Sequence, residues 1–286
     1  MESMSAVSVE EAHAILASHD LIGVGVRADE ERRRRHGTRT TFGRVLEVHV
    51  DAVPGSMPAS IHTGEVRLTG QPRSIEDAAA AVTRAKAVAG KIPLTAFSVS
   101  DLWDLGGASL GGFNSVLSAL KTAGLQAIAE APVDMADGLV DAIRAVRSAG
   151  LQLFRLTVRE LAADRRVETV ERARQVQHEA GGVRTFAPLP RVSSIAQPST
   201  GYDDVKQIAI ARLLLDNIDS IQVDWVLYGP KLAQVALTVG ADDVDGVSSL
   251  EGDLGRRRSP IEEIRSNIRA AGLDPVERDG WFGVRG

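Results

Sequence analysis

Short apolar runs alternate with amphipathic segments along most of this chain. Runs with the apolar spacing of β-strands lie at residues 44–50, 64–69, 93–98, 125–130, 151–157, 183–188, 218–224 and 244–248. Segments with helical spacing lie between them, at 74–89, 112–123, 137–149, 167–180, 203–217 and 230–239, and another follows at 260–271. This alternation is typical of a parallel sheet, and eight strands predict an α/β structure closed as a (β/α)8 TIM-type barrel.

The chain before the first strand has a helical pattern of its own. Ser8 can cap a helix over 8–17, with Glu11 returning the hydrogen bond, and a short charged helix is predicted at 28–35. We expect a helical lead-in over 1–42, the barrel over 43–258, and a C-terminal helix and tail over 259–286. Because no low-complexity linker interrupts the pattern, these parts are interpreted as a single domain, 1–286.

Polar side chains alternate with apolar ones inside several predicted strands. In the first run, Leu46 and Val48 alternate with Glu47 and His49. The apolar set is expected to face the helices, so that the polar set lines the barrel interior. The same alternation is expected to point Glu65, Arg67 and Thr69 inward in the second run, and Ser220, Gln222 and Asp224 inward in the seventh. In the fifth run, Arg155 and Thr157 are in register with Leu151 and Leu153.

Charged side chains inside a barrel need an explanation, because burying them unpaired costs several kcal/mol each. One interpretation is a structural network of ion pairs, such as Glu47–Arg67 or Asp224–Arg155. The other is an interior that holds water and a polar ligand. We favour the ligand pocket, because the polar residues come late in their strands, at the end where barrel enzymes build their sites.

Composition excludes several classes of protein. The 286 residues are 44% hydrophobic and 25% charged, and the net charge of −5 argues against nucleic acid or an anionic membrane as partner. No apolar run approaches the roughly 18 residues that span a bilayer, and the N-terminus lacks the pattern of a secretory signal, so a cytoplasmic location is expected. The sequence has no cysteine, which rules out disulfides and metal held by thiolates.

Four segments carry a resemblance to a known family. Residues 20–42, with His36-Gly37 before the first strand, resemble its lead-in, and 94–105 (LTAFSVSDLWDL) resemble its third-strand segment. Residues 167–190, ending APLP, resemble its sixth-strand region, and 201–251 are the most similar part. Together they are similar to the radical S-adenosylmethionine (SAM) barrels of menaquinone and deazaflavin biosynthesis, such as aminofutalosine synthase, dehypoxanthine futalosine cyclase and FO synthase.

The resemblance implies a [4Fe–4S] cluster and SAM, but the residues depart from it at both sites. The family holds its cluster with a CxxxCxxC loop after the first strand, where residues 52–65 read AVPGSMPASIHTGE. His49 and His62 are the nearby imidazoles, and two histidines do not replace three thiolates. Pro132 and its neighbours in EAPVDM stand where the family has a glycine-rich segment that contacts SAM. We therefore exclude the cluster, disfavour SAM binding and predict no cofactor and no metal.

The resemblance also suggests residues of a ligand site. Asp134 and Glu251 stand where the family has glutamates, and Trp225 either walls the pocket or packs against the following loop. Thr69-Gly70-Gln71-Pro72 stands where the family often has a GG-x-HP turn. The predicted ligand-binding residues are Glu47, His49, Arg67, Thr69, Asp134, Arg155, Gln222, Asp224, Trp225 and Glu251.

Two functions follow from these observations. The first is a degenerate, cluster-less paralogue that binds a polar metabolite in the barrel interior, and that docks onto a cysteine-containing relative or forms a homo-oligomer. The alternative is an active enzyme with non-radical chemistry, for which Glu47, His49 and Asp224 are the candidate acids or bases. A metal site built from Glu47, His49, His62 and Glu65 belongs to the second reading.

Overall fold

A computed structural model describes residues 6–58, 61–135, 137–192, 200–250 and 260–285. Helix α1 (Val9–Ala17) is capped by Ser8, whose side chain accepts from the backbone N–H of Glu11, as predicted. Helix α2 (Leu21–His36) begins earlier than the predicted charged segment, because Asp20 caps it by accepting from the N–H of Gly23. The glycines of its first half weaken the helical pattern in the sequence.

The remaining helices and strands follow the predicted alternation. The strands are β1 (Arg39–His49), β2 (Glu65–Thr69), β3 (Leu94–Ser98), β4 (Ala127–Pro132), β5 (Gln152–Leu153), β6 (Arg155–Val158), β7 (Thr185–Pro190), β8 (Ser220–Asp224), β9 (Asp243–Ser248) and β10 (Asp274–Arg278). The helices are α3 (Ile75–Ala89), α4 (Val99–Leu105), α5 (Leu110–Thr122), α6 (Leu139–Ser148), α7 (Arg166–Ala180), α8 (Gly201–Leu214), α9 (Trp225–Leu237) and α10 (Pro260–Ala270).

The strand order is that of an α/β barrel. The sheet runs β10-β1-β2-β3-β4-β6-β7-β8-β9, β5 pairs with β4, and a further pairing joins β1 to β9. The neighbours β1–β2, β2–β3, β3–β4, β7–β8 and β8–β9 are parallel. The predicted fold class is therefore confirmed. The predicted fifth strand is divided into β5 and β6, while α4 and β10 are elements that periodicity did not predict.

The chain groups into two compact units. The first unit comprises Met1–Phe42, Leu156–Asp245 and Glu263–Val276, and the second comprises Gly43–Arg155, Gly246–Glu262 and Glu277–Gly286. Each unit buries apolar side chains completely, such as Ile208 and Ile221 in the first, and Leu94 and Phe113 in the second. Within the described ranges, no helix combines the length and apolar character that a membrane crossing needs.

Candidate functional site

In the second unit, the polar residues of β1 lie beside those of β2. The parallel register sets Glu47 opposite Arg67 and His49 opposite Thr69. The side chains of Glu47 and His49 are 55% and 54% exposed, whereas that of Arg67 is 8% exposed. The ends of these two strands therefore present a carboxylate and an imidazole to solvent next to a buried guanidinium.

Arg67 is held mainly by Glu65, its neighbour two residues earlier on the same face of β2. Its Nε donates to Glu65 Oε1 at 2.8 Å, and its Nη2 donates to Oε2 at 3.0 Å. The Thr95 hydroxyl donates to Glu65 Oε1 at 2.6 Å, while Glu47 Oε1 lies 4.0 Å from Arg67 Nη1. The buried charges thus form a hydrogen-bonded pair, and Glu47 remains at its solvent side.

The imidazole of His49 has a defined orientation. Its Nδ1 accepts from the backbone N–H of Asp51 at 3.3 Å, so the neutral ring carries its proton on Nε2. Gly70, at φ +92°, lies against the other edge of the ring, and a Cβ there would be 2.5 Å from Nε2. The predicted turn at Gly70 therefore provides the space that the imidazole occupies.

Of the other predicted residues, Asp134 and Arg155 belong to other strands or turns of the second unit, and Thr69 ends β2. Asp134 is exposed in the turn that follows β4. Arg155 begins β6, is 3% exposed, and donates from Nη1 to the carbonyl of Ala129 at 3.3 Å. Thr69 is partly buried, and its hydroxyl reaches the Val48 carbonyl at 3.5 Å. Glu251 lies outside the described residues.

In the first unit, Asp224 ends β8 and begins α9. Its Oδ1 accepts from the N–H groups of Val226 and Leu227 at 2.9 and 3.0 Å, which caps the helix. Its Oδ2 accepts from Arg191 Nη1 at 2.6 Å. Asp224 and Trp225 are 9% and 8% exposed. The carboxylate thus serves as a helix cap and as half of an ion pair.

Arg191 and Tyr228 belong to the same cluster, and sequence reasoning missed both. Arg191 directly follows β7, and the Tyr228 hydroxyl donates to the carbonyl of Pro190. Burial raises the pKa of Tyr228, Asp204 raises it further and Arg191 opposes both, so the phenol stays protonated. Its position in the sequence could have identified Arg191 as a candidate site residue, because it directly follows a barrel strand and functional side chains lie at that end of a strand.

Gln222 lies in a buried chain of hydrogen bonds. It is 1% exposed, sits opposite Asp243 of β9, and donates from Nε2 to Asp243 Oδ2 at 2.5 Å. The Thr41 hydroxyl donates to the other carboxylate oxygen, Oδ1, at 2.5 Å. A neutral amide and a hydroxyl therefore both point at one buried carboxylate.

Comparison with known proteins finds sequence similarity to one protein family and to two enzymes. A family model described as the CofH/MqnC C-terminal region matches residues 184–286. Aminodeoxyfutalosine synthase of Thermus thermophilus is 32% identical over 203 residues, 59% of this chain and 54% of that protein. The 5-amino-6-(D-ribitylamino)uracil–L-tyrosine 4-hydroxyphenyl transferase of Archaeoglobus fulgidus is 39% identical over 124 residues, 39% of this chain.

The chain is a relative of the radical SAM barrels of menaquinone and deazaflavin biosynthesis. The predicted resemblance is thereby confirmed. The match spans 54% of the length of the Thermus protein and 36% of the Archaeoglobus protein. The crystal structure of methylornithine synthase (PylB) is similar over 95% of each chain, with a TM-score of 0.65 and 14% identity, which supports the barrel fold alone.

The iron–sulfur cluster of such relatives does not fit the residues of this chain. The sequence contains no cysteine, and the nearby imidazoles are those of His49, which ends β1, and His62, which lies between β1 and β2. A [4Fe–4S] cluster is held by thiolates. Across the described part of the chain, no three histidine, aspartate or glutamate side chains come together in a way that could hold a metal ion.

Proposed function

We propose that this chain is a thiolate-free paralogue of the menaquinone-type radical SAM enzymes, non-catalytic or repurposed, that binds a polar small metabolite. The observation that carries the proposal is the family relationship of a chain with zero cysteines. Reductive cleavage of SAM needs an electron delivered to the sulfonium, and the side chains of this protein include no thiolate to hold the cluster that would supply it.

The geometry of the strand ends supports metabolite binding. The side chains of Glu47 and His49 are more than half exposed, and the buried Arg67 lies opposite Glu47 in the strand register. Sites that combine a few orienting polar groups with a rigid scaffold are typical of small-molecule binding. The C-terminal ends of barrel strands are where such sites form.

Two measurements test the proposal. Anaerobic reconstitution with iron and sulfide is expected to leave the protein without a bound cluster. A thermal-shift series with SAM, aminofutalosine and related metabolites is expected to reveal at least one stabilising ligand, since a ligand at 100 times its Kd adds about 2.7 kcal/mol. Stoichiometric cluster incorporation, or no shift with any metabolite of the series, contradicts the proposal.

A second candidate is an active enzyme that uses acid–base chemistry. His49 favours it, because its imidazole is half exposed and lies two residues from Glu47 on the same strand. Asp224 is a weaker candidate, because its oxygens already cap α9 and bind Arg191. Loss of turnover of any metabolite in Glu47→Gln and His49→Ala establishes this alternative and removes the non-catalytic reading.

A partner role has its own test. The proposed partners are a cysteine-containing radical SAM relative or a second copy of this chain. Affinity purification of the tagged protein from its native cells is expected to retain such a relative, identified by mass spectrometry. Light scattering of the purified chain separates a homo-oligomer from a monomer, and a monomer that retains no relative rejects both partner roles.

A further inference from the structure

The amide oxygen of Gln222 is a buried acceptor with no donor. Gln222 is 1% exposed, and within the described residues its Oε1 has no hydrogen-bond partner. The other end of the amide has a partner, because Nε2 donates to Asp243 Oδ2. If the amide were turned over, its oxygen would face the Asp243 carboxylate, and two acceptors facing each other repel. The orientation with Nε2 toward Asp243 is therefore the stable one.

The surroundings of Gln222 are rich in acceptors. Asp243 lies opposite it, and the next pair in the register on the same face is Asp224 with Asp245. Asp243 and Asp245 are completely buried, and Asp224 is 9% exposed. Acidic side chains alone do not define a site, but Gln222 Oε1 is a buried acceptor that lacks a donor among the described residues, and a donating group would satisfy it.

We infer that Gln222 Oε1, together with Asp243, forms a subsite for a protonated nitrogen of a small ligand. A cationic N–H satisfies the amide oxygen directly, and neighbouring carboxylates stabilise its charge. This inference rests on the proposed function and deepens it, since it names the chemical class of the group that the polar metabolite carries. The burial of Gln222 limits that group to something as small as a primary ammonium.

Two probe cations separate hydrogen-bond donation from charge. Methylammonium carries N–H donors, and tetramethylammonium has the same charge with none. In the isotope-labelled protein, we expect methylammonium to shift the NMR resonances of the Gln222 side-chain amide, and tetramethylammonium to leave them unchanged. Equal shifts with both cations, or none with methylammonium, overturn the inference; the second outcome means that a water molecule satisfies the oxygen.

A variant and its matched control locate the effect. Gln222→Met removes the acceptor and keeps a similar volume, and we expect it to weaken methylammonium binding about tenfold, as for one hydrogen bond to a charged donor. Gln207 is the control, because it is also completely buried, lacks a partner at Oε1 among the described residues, and donates from Nε2 to a backbone carbonyl. Gln207→Met is expected to bind methylammonium normally.

The outcomes also separate this inference from the proposed function. If a metabolite stabilises the protein but methylammonium does not shift the Gln222 amide, the subsite is wrong and the metabolite binds elsewhere. If methylammonium binds at Gln222 but no metabolite of the series stabilises the protein, the subsite stands and the proposed metabolite class is wrong. The amide shift is measured on the unaltered protein, so the test holds even where Gln222→Met does not fold.

Discussion

Two polar regions of this protein differ in how deeply their polar side chains are buried. In the first unit, Asp242 accepts from Arg212, from the Ser220 hydroxyl at 2.9 Å and from the Ile221 N–H at 2.8 Å. Arg212 is completely buried, and it also donates to the carbonyls of Gly240 and Asp219. Burial lowers the pKa of the Arg212 guanidinium, and Asp242 opposes that effect. This region holds the fold together.

The second region, at the ends of β1 and β2, leaves its groups open to solvent. Glu47 and His49 are more than half exposed, although each lies beside a polar partner on β2. Exposed polar groups contribute little to stability, and a ligand can reach them. The comparison teaches that charge on a barrel strand is not evidence of function by itself; the exposure of the polar side chains separates the two roles.

The largest effect on the free energy of unfolding is expected when the Asp242 carboxylate is removed. Asp242→Ala leaves the buried Arg212 without its carboxylate, and we expect unfolding free energy to fall by about 3–5 kcal/mol. Urea denaturation followed by circular dichroism measures it. Asp219→Ala is the control, because that side chain is 78% exposed, and its loss is expected to cost less than about 0.5 kcal/mol. A loss below about 1 kcal/mol for Asp242→Ala would show that the network is dispensable.

An intermediate loss of unfolding free energy is expected at Gly70, whose turn lies against the His49 imidazole. Gly70→Ala places a Cβ 2.5 Å from His49 Nε2 at a φ of +92°, and we expect a loss of about 1–3 kcal/mol together with weaker metabolite binding. Gly90→Ala is the matched control, because its φ is +57° and a Cβ there meets nothing within 4 Å. Equal losses in both variants would mean that backbone strain alone, and not displacement of His49, explains the result.

A smaller effect on the free energy of unfolding is expected at Glu31, and it depends on pH. Burial by itself raises the pKa of Glu31, but hydrogen bonds from Arg34 and Arg35 outweigh it and hold the pKa below its ordinary value of 4.5. The stabilisation is therefore present above pH 4.5 and is lost as pH falls through the lower pKa of the folded state. We expect Glu31→Gln to cost about 1 kcal/mol at neutral pH and progressively less in acid. Chemical denaturation across pH checks this, and a pH-independent cost contradicts it.

The smallest effect on stability is expected at the open strand ends. Glu47→Gln and His49→Ala should change unfolding free energy by less than about 0.5 kcal/mol, as for exposed side chains elsewhere. The same variants are expected to abolish the thermal shift produced by the bound metabolite. If both variants keep the full thermal shift with the metabolite, the ends of β1 and β2 are not part of the binding site. The functional side of the comparison between the two regions would then be wrong.

Much of the candidate site could be anticipated because strand alternation is local. The period of two in β1 and β8 placed Glu47 with His49, and Gln222 with Asp224, before any tertiary information. Partners were harder to predict. Arg67 pairs chiefly with Glu65 rather than Glu47, and Asp224 pairs with Arg191, which follows a different strand. Such choices depend on side-chain reach across the sheet, which periodicity does not encode.

The amino-acid sequence by itself determined the main alternation of strands and helices, the barrel class, the family resemblance and the lack of thiolates. Each depends on residue type or on spacing between near neighbours. Only the tertiary structure decided that Gly70 supports the His49 ring, that Gln222 Oε1 lacks a donor, and that β10 joins the sheet beside β1. These features arise where segments distant in sequence meet, and their geometry exists only once the chain has folded.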